Sequence, residues 1–306
     1  MKDIFEVKTI NQIHQMLGDK KPDHPLITVV DVEKIAVFDR PGNIKYKTGF
    51  YTIALKTGGE CEIKYGRKSY DFNEGSLVFS KPSQVSEVVS SGSGKKPKGW
   101  ILCFHPDLIR GTSLANKIHD YTYFEYNNNE ALHLSQKEKD TISSIVSIIE
   151  TEFSMNLDNY SNKLILSNLE TLLNYCERYY GRQFITRRNV NQEGISKFEL
   201  LLKKRMEEES LEKLGIPTVK EFAEDMGYSQ NYLSDMLMKE TGMRPLDYIH
   251  EAIIEKAKNL LLGSDSNIAD IAYILGYDYP EHFSKFFKKK TGMSPLKFRN
   301  EQSRTC

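Results

Sequence analysis

The strongest constraint on this chain is an internal repeat near its C-terminus. Phe222-Ala223-Glu224-Asp225-Met226-Gly227-Tyr228 continues as SQNYLSDMLMKETGMRPLDYI, and Ile271-Ala272-Tyr273-Ile274-Leu275-Gly276-Tyr277 continues as DYPEHFSKFFKKKTGMSPLKF. The copies lie 49 residues apart at Gly227 and Gly276, and 50 apart at Thr241 and Thr291 and at Pro245 and Pro295. One residue is inserted in the turn and both flanking segments keep register, so one supersecondary unit is used twice. Each copy opens with a helix cap, Thr218-x-x-Glu221 after Pro217 in the first and Ser266-Asn267-Ile268 in the second. A small Ala223 or Ala272 permits close helix approach. Gly227 or Gly276 sits where the chain must turn in the left-handed region. A second helix follows, with core positions Leu233, Met236 and Leu237 or Phe283, Phe286 and Phe287, and it ends at Thr-Gly. Helix, glycine turn, helix is the arrangement whose second helix can enter a DNA major groove. Pro245–Leu262, between the copies, is 18 residues long, a helix of roughly 27 Å. Such a strut could hold two recognition helices about 34 Å apart, one turn of duplex.

The remainder of the chain bounds its class. Among 306 residues, 42 Lys and Arg balance 42 Asp and Glu. Mean hydropathy is −0.50, and no apolar run reaches the ~18–20 residues of a membrane span. The first residues, MKDIFEVKTINQIHQML, lack the apolar stretch of a secretory signal. Cys61, Cys103, Cys176 and Cys306 are far apart, which argues against a disulfide framework and a thiolate zinc site. A reducing cytoplasm is expected. Short β-branched or aromatic runs at Ile27–Val32, Ile35–Phe38, Phe50–Lys56, Cys61–Tyr65, Leu77–Ser80 and Trp100–Phe104 predict strands of a barrel or sandwich. Ser90–Gly99 reads as a surface loop. From Leu134 the period becomes helical. A capping box at Ser135-x-x-Glu138 precedes the stripe Ile142, Ile145, Val146, Ile149, Phe153, and a second stripe runs Ile165, Leu169, Leu172, Leu173, Cys176, Tyr180. These stripes predict an antiparallel hairpin, used either as core or as a dimer seam. The polar stretch Arg182–Gly194 reads as a linker, and Ser196-x-x-Glu199 as the next helix start. The expected fold is multidomain α+β: a β-barrel domain at 1–133, a helical hairpin at 134–181, a linker at 182–194 and an all-α module at 195–306.

Ile268-x-x-Ile271-Ala272-x-x-x-Gly276-Tyr277, followed by HFSKFFKKKTGMSPLKFR, resembles the signature of AraC/XylS-type transcription regulators, and KETGMRPLDYI resembles that family's other helix-turn-helix. The resemblance covers about residues 196–302. In outline, the β-rich front half is similar to the cupin-like effector and dimerisation domain that many members carry. The resemblance implies a homodimeric, usually effector-responsive regulator that binds double-stranded promoter DNA and contacts RNA polymerase. A regulator whose front domain only dimerises is one alternative. A cupin-type enzyme with a DNA-binding tail is another, although the front domain has no HxH pair beside His24, His105 and His119, so no metal or other cofactor is expected. No nucleophile elbow, P-loop or dinucleotide fingerprint is present.

Residues 193–306 hold 17 Lys and Arg against 19 Asp and Glu, so any attraction to phosphate must be local. The candidates for phosphate contact are Lys239, Arg244, Lys288, Lys289, Lys290 and Arg299. The candidates for base reading are Gln230, Asn231, Ser234 and Asp235 in the first unit, and Glu281, His282, Ser284 and Lys285 in the second. Asn and Gln can bond adenine bidentately and Asp can accept from cytosine N4. The family pattern implies base-facing side chains at Asn231, Ser234 and Asp235, and Asp235 departs from the basic or large residue common there. In the front domain, Tyr51, Trp100, Leu102 and Phe104 share strand faces that read either as core packing or as the lining of a small-molecule site at a barrel mouth. Lys64, Tyr65, Arg67 and Lys68 read either as a site for an acidic ligand or as a solvated strand end and turn.

Overall fold

A computed structural model of the protein describes residues 5–17, 21–34, 42–57, 64–65, 68–69, 75–90, 98–155, 158, 160–207 and 210–302. The chain divides into two compact units, Met1–Thr186 and Arg187–Cys306. The N-terminal unit contains β1 (Phe5–Val7), α1 (Ile10–Leu17), β2 (Ile27–Asp31), β3 (Gly42–Thr48), β4 (Tyr51–Thr57), β5 (Lys64–Tyr65), β6 (Lys68–Ser69), β7 (Ser76–Ser80), β8 (Val85–Ser90) and β9 (Lys98–Phe104). After these come α2 (Pro106–Ile109), α3 (Ser113–Lys117), β10 (Leu132–His133), α4 (Gln136–Ser154) and α5 (Ser161–Thr186).

Five strands form an antiparallel sheet in the order β10-β7-β4-β9-β2. A separate sheet has the order β1-β3-β8, with β1 parallel to β3. The expected closed barrel does not form among the described residues. No ladder joins β8 or β1 to the larger sheet, so β2 and β10 remain edges, whereas closure requires every strand to have two neighbours. Four of the six predicted strands appear within a residue or two of their expected bounds. Ile35–Phe38 lies outside the described residues, and only Lys64–Tyr65 of the run Cys61–Tyr65 lies inside. The expected loop Ser90–Gly99 ends early, because Lys98 and Gly99 already pair with Thr57 and Lys56.

Strand alternation divides the larger sheet into two faces. Ile53, Leu55, Leu77, Phe79, Leu102 and Phe104 lie on one face and are buried. Helices cover this face: Phe79 meets Tyr123 at 4.6 Å and Tyr180 of α5 at 5.9 Å. The Tyr123 hydroxyl donates to the Leu173 carbonyl at 3.0 Å, and the Trp100 indole N–H to Ser143 Oγ on α4 at 3.4 Å. The capping box at Ser135 and Glu138 forms as expected. Both hairpin stripes are buried within the chain, from Ile142 to Phe153 on α4 and from Ile165 to Tyr180 on α5. They are core, so a dimer seam cannot use them.

The expected linker at 182–194 is helix. α5 runs to Thr186, and α6 (Arg188–Glu207) begins after the single residue Arg187. Its polar side chains have structural partners. Arg182 Nη2 donates to the His133 carbonyl at 2.7 Å and to Glu138 Oε2 at 2.8 Å. Buried Gln183 accepts from the His133 N–H at 2.8 Å and donates to the Ala131 carbonyl at 3.1 Å. These side chains satisfy the backbone of the short β10 segment, an obligation that hydropathy patterning does not register. In the C-terminal unit, buried Asn191 donates to Glu240 Oε1 at 2.8 Å. A side chain at Gly194 would press on the Met236 thioether at 3.3 Å. Ser196 therefore lies inside a helix rather than at its start.

The C-terminal unit continues with α7 (Ser210–Leu214), α8 (Val219–Met226), α9 (Gln230–Thr241), α10 (Pro245–Gly263), α11 (Ile268–Ile274), α12 (Pro280–Thr291) and α13 (Pro295–Gln302). Phe198 of α6 packs edge-on against Phe222 and Tyr248. A second core gathers Ile254, Ala257, Leu261, Ile271, Ala272, Leu275, Phe283 and Phe287.

The two turn glycines differ in their surroundings. Gly227 (φ 74°) faces open space, whereas a Cβ on Gly276 (φ 82°) would lie 2.7 Å from the Leu211 carbonyl oxygen and 3.0 Å from Gly215. Gly227→Ala should cost about 1–2 kcal/mol, the strain of a left-handed alanine. Gly276→Ala should cost more, because backbone must also move. Urea unfolding of both variants would show this, and equal losses would contradict the packing described.

Candidate nucleic-acid interface

The two repeat units share a framework of helix caps and turn glycines. Thr218 caps α8: its hydroxyl accepts from the Glu221 N–H at 3.3 Å, and Glu221 Oε2 accepts from the Thr218 N–H at 2.6 Å. That backbone hydrogen bond also holds the Glu221 carboxyl below its usual pKa. Asn267 caps α11 by accepting from the Asp270 N–H at 2.8 Å. Each second helix has 12 residues and ends at a left-handed glycine, Gly242 or Gly292. Thr241 and Thr291 fold their hydroxyls back onto the Leu237 and Phe287 carbonyls, each at 2.8 Å.

With α9 and α12 aligned at an offset of 50, the same positions point inward. Leu233 and Leu237 are buried in one, and Phe283 and Phe287 in the other. The opposite faces carry the expected base readers. On α9, Gln230 is exposed and Asn231, Ser234 and Asp235 are half-buried. The Ser234 hydroxyl donates to the Gln230 carbonyl at 2.9 Å. On α12, Glu281, His282 and Lys285 are exposed and Ser284 is half-buried.

The aligned faces differ in charge. Asp235 stands opposite Lys285, and Met238, Lys239 and Glu240 stand opposite Lys288, Lys289 and Lys290. The second helix is thus strongly cationic over its last turn, where positive charge also complements the helix dipole. Lys288 and Lys289 are exposed. Lys290 lies 4.0 Å from Asp247 at the start of α10. Lys239 and Arg244 are exposed. Arg299 is a correction: its Nε–H donates to the Leu261 carbonyl at 2.8 Å, and Nη2 is buried. It fastens α13 to the end of α10, so its guanidinium is not presented as a phosphate contact.

Two groups were missed by reading the sequence. Tyr279, which precedes α12, is 63% exposed, and its ring meets His282 edge-on at 5.2 Å. His250 on α10 packs against Phe286 of α12 at 5.0 Å. An exposed large aromatic beside the turn could have been flagged for Tyr279. Nothing in the spacing points to His250.

The proposed front-domain ligand residues also need correction. Leu102 and Phe104 are fully buried on the helix-covered face, with Trp100 beside them. Tyr51 stacks on Phe104 at 5.1 Å and meets Phe124 at 5.1 Å. They fill the layer between sheet and helices, so they line no open mouth. The side chains of Lys64, Tyr65 and Lys68, and all of Arg67, lie outside the described residues. Among the described residues, no group of three His, Cys, Asp or Glu could hold a metal. No described helix is long and apolar enough to cross a membrane.

Residues 222–301 match the family described as a helix-turn-helix domain. The HTH-type transcriptional activator RhaS of Escherichia coli is 34% identical over 77 residues, 25% of this chain and 28% of RhaS. The uncharacterised HTH-type transcriptional regulator YfiF of Bacillus subtilis is 22% identical over 272 residues, 87% of this chain and 81% of YfiF. Histidine kinase P4 of Formosa agariphila is 23% identical over 253 residues, 83% of this chain and 17% of the kinase. The chain thus spans less than a third of two of these relatives.

Burial holds the His250 imidazole below its usual pKa, and the ammoniums of Lys290 and Lys289 act the same way against the opposing pull of Asp247. The folded chain therefore keeps His250 neutral where an unfolded chain, with a pKa of about 6.5, takes up a proton. The resulting stability is complete above that pH and is lost as pH falls through and below it. His250→Phe should flatten the fall in Tm between pH 7.5 and 5.5. An unchanged fall would show that His250 does not drive it.

Proposed function

We propose that this chain, whose C-terminal residues belong to the AraC/XylS type of helix-turn-helix domain, is a sequence-specific DNA-binding transcription regulator. One observation carries the reading: α10 joins two register-matched helix-turn-helix units. Its 19 residues make a rod of roughly 28 Å, suited to holding α9 and α12 toward successive major-groove turns of one duplex. Lys285, Lys288 and Lys289 supply most of the attraction to phosphate, with Lys239 and Arg244 adding to it. Gln230, Asn231, Ser234 and Asp235, and Glu281, His282, Ser284 and Lys285, face base edges.

The front unit is read as an effector sensor with its ligand on the sheet face opposite to the one expected. There the register sets Thr28, Cys103, Thr52 and Ser80 in one row and Val30, Ile101, Ala54 and Val78 in the next. His14 Nε2 lies 2.9 Å from Thr28 Oγ1, and the Thr52 and Ser80 hydroxyls hydrogen-bond each other. Three hydroxyls and the Cys103 thiol beside a row of aliphatics suit a small, partly polar ligand. The ligand enters a buried layer, since Thr28, Val30, Ala54 and Cys103 are each at most 9% exposed and Cys103 packs with Val7, Ile10 and Phe50. Its binding shifts which arrangement of the two units is populated.

The chain acts in the cytoplasm as a homodimer that meets RNA polymerase at promoters. Its dimer contact uses exposed, uncharged positions of the hairpin such as Ile148 and Leu164, which are 48% and 43% exposed.

Selection of duplexes from a randomised pool tests the reading. The full chain should recover paired half-sites, whereas recovery of no shared sequence would end the proposal, and a single unpaired site would end the dimer. Asn231→Ala should relax one base position, at a cost of about 1–3 kcal/mol. Lys285→Ala and Lys288→Ala should each weaken binding to every sequence and lower the salt slope by about 1. Saturable thermal stabilisation by one class of small molecule, lost in Ala54→Phe, should mark the effector face; loss in neither protein would remove it from that face.

A further inference from the structure

The residues before the two recognition helices are treated differently. Ser229 precedes α9, and its hydroxyl accepts from the Tyr232 N–H at 3.2 Å, a standard helix cap. The equivalent residue before α12 is Tyr279, whose backbone is extended as a cap requires (φ −127°, ψ 117°) but whose side chain makes no capping hydrogen bond. A phenol cannot reach back to those N–H groups. The position therefore forgoes a stabilising cap and presents a large aromatic ring to solvent, 63% exposed.

The neighbouring aromatics show that this is not a packing requirement. Phe283 and Phe287 are fully buried, and Tyr277 and Phe286 pack against the core. The ring of Tyr279, 63% exposed, meets the exposed His282 ring edge-on at 5.2 Å. That contact buttresses the phenol beside the N-terminal end of the recognition helix. It is this end that meets base edges in helix-turn-helix complexes. A local rule broken without structural return marks a position shaped by function.

We infer that Tyr279, buttressed by His282, reads thymine: its ring packs on the C5-methyl group exposed in the major groove, the apolar feature that distinguishes a T·A pair there. This rests on the DNA-binding reading above and adds a base preference to the second unit that the polar face of α12 does not supply.

Tyr279→Ser tests it, because serine restores the cap while removing the ring. The variant of the full chain should be more stable, with a Tm higher by about 2–5 °C. It should also lose a thymine preference at one position in selection from a randomised duplex pool. In the wild-type site, replacing that thymine by uracil deletes only the methyl group. The replacement should weaken wild-type binding about three- to tenfold and leave Tyr279→Ser binding unchanged. A lowered Tm would mean that Tyr279 is structural. Weakening by Tyr279→Ser that is equal on all sequences and blind to uracil would mean a phosphate contact. A wild-type site with no thymine facing α12 would also overturn the inference. The underlying reading fails separately, if the wild-type chain selects no sequence at all.

Discussion

The C-terminal unit depends on α10 having buried residues along its whole length. Ile249 and Ile253 lie in its first half, where Tyr248 meets Phe198 of α6. Ile254, Ala257 and Leu261 belong to the core that holds α11 and α12. Because one helix contributes to both cores, the two recognition helices share a rigid axis. At about 1.5–3 kcal/mol for each buried aliphatic side chain, that stripe outweighs any surface ion pair in the unit. The C-terminal half of the rod is fastened by polar contacts to backbone: Lys256 donates to the Met206 carbonyl at the end of α6, and Arg299 to the Leu261 carbonyl near the end of α10.

This scaffold explains how a module with slightly more acidic than basic residues can still suit DNA. Net charge sets long-range attraction, but contact is decided within about a Debye length, roughly 8–10 Å. The lysines gather on the outer face and last turn of α12, and Glu212, Glu221, Glu224 and Asp225 belong to α7 and α8. In the proposed reading, the two recognition helices therefore divide the work unequally. α12 offers charge, and α9 offers amide, hydroxyl and carboxylate groups with little net charge. Strong salt dependence is expected from the second unit and finer polar discrimination from the first.

The repeat was legible because its determinants are local. Thr218 and Asn267 cap within their own helices, and Gly227 and Gly276 meet a backbone requirement of their own turns. The hairpin stripes were equally legible as buried faces, but what buries them was not. Errors arose wherever a residue's partner lies far along the chain. Arg182, Gln183 and Asn191 read as linker by composition, yet they bond groups at His133, Ala131, Glu138 and Glu240. Arg299 read as one more cation of a basic cluster, 38 residues from the carbonyl it holds.

The front unit draws the same boundary. Alternation alone establishes that Tyr51, Ile53 and Leu55 share a face, and that Trp100, Leu102 and Phe104 share one. It cannot say whether helices or open space lie against that face, because a strand pattern has the same period either way. By itself the sequence determined the paired helix-turn-helix units, their spacing and the buried helical stripes, all written in separations of a few residues. Only the tertiary structure decided which sheet face the helices cover, that the supposed linker is helix, and which cations are left outward. Those outcomes depend on contacts between residues dozens of positions apart, and no local preference encodes them.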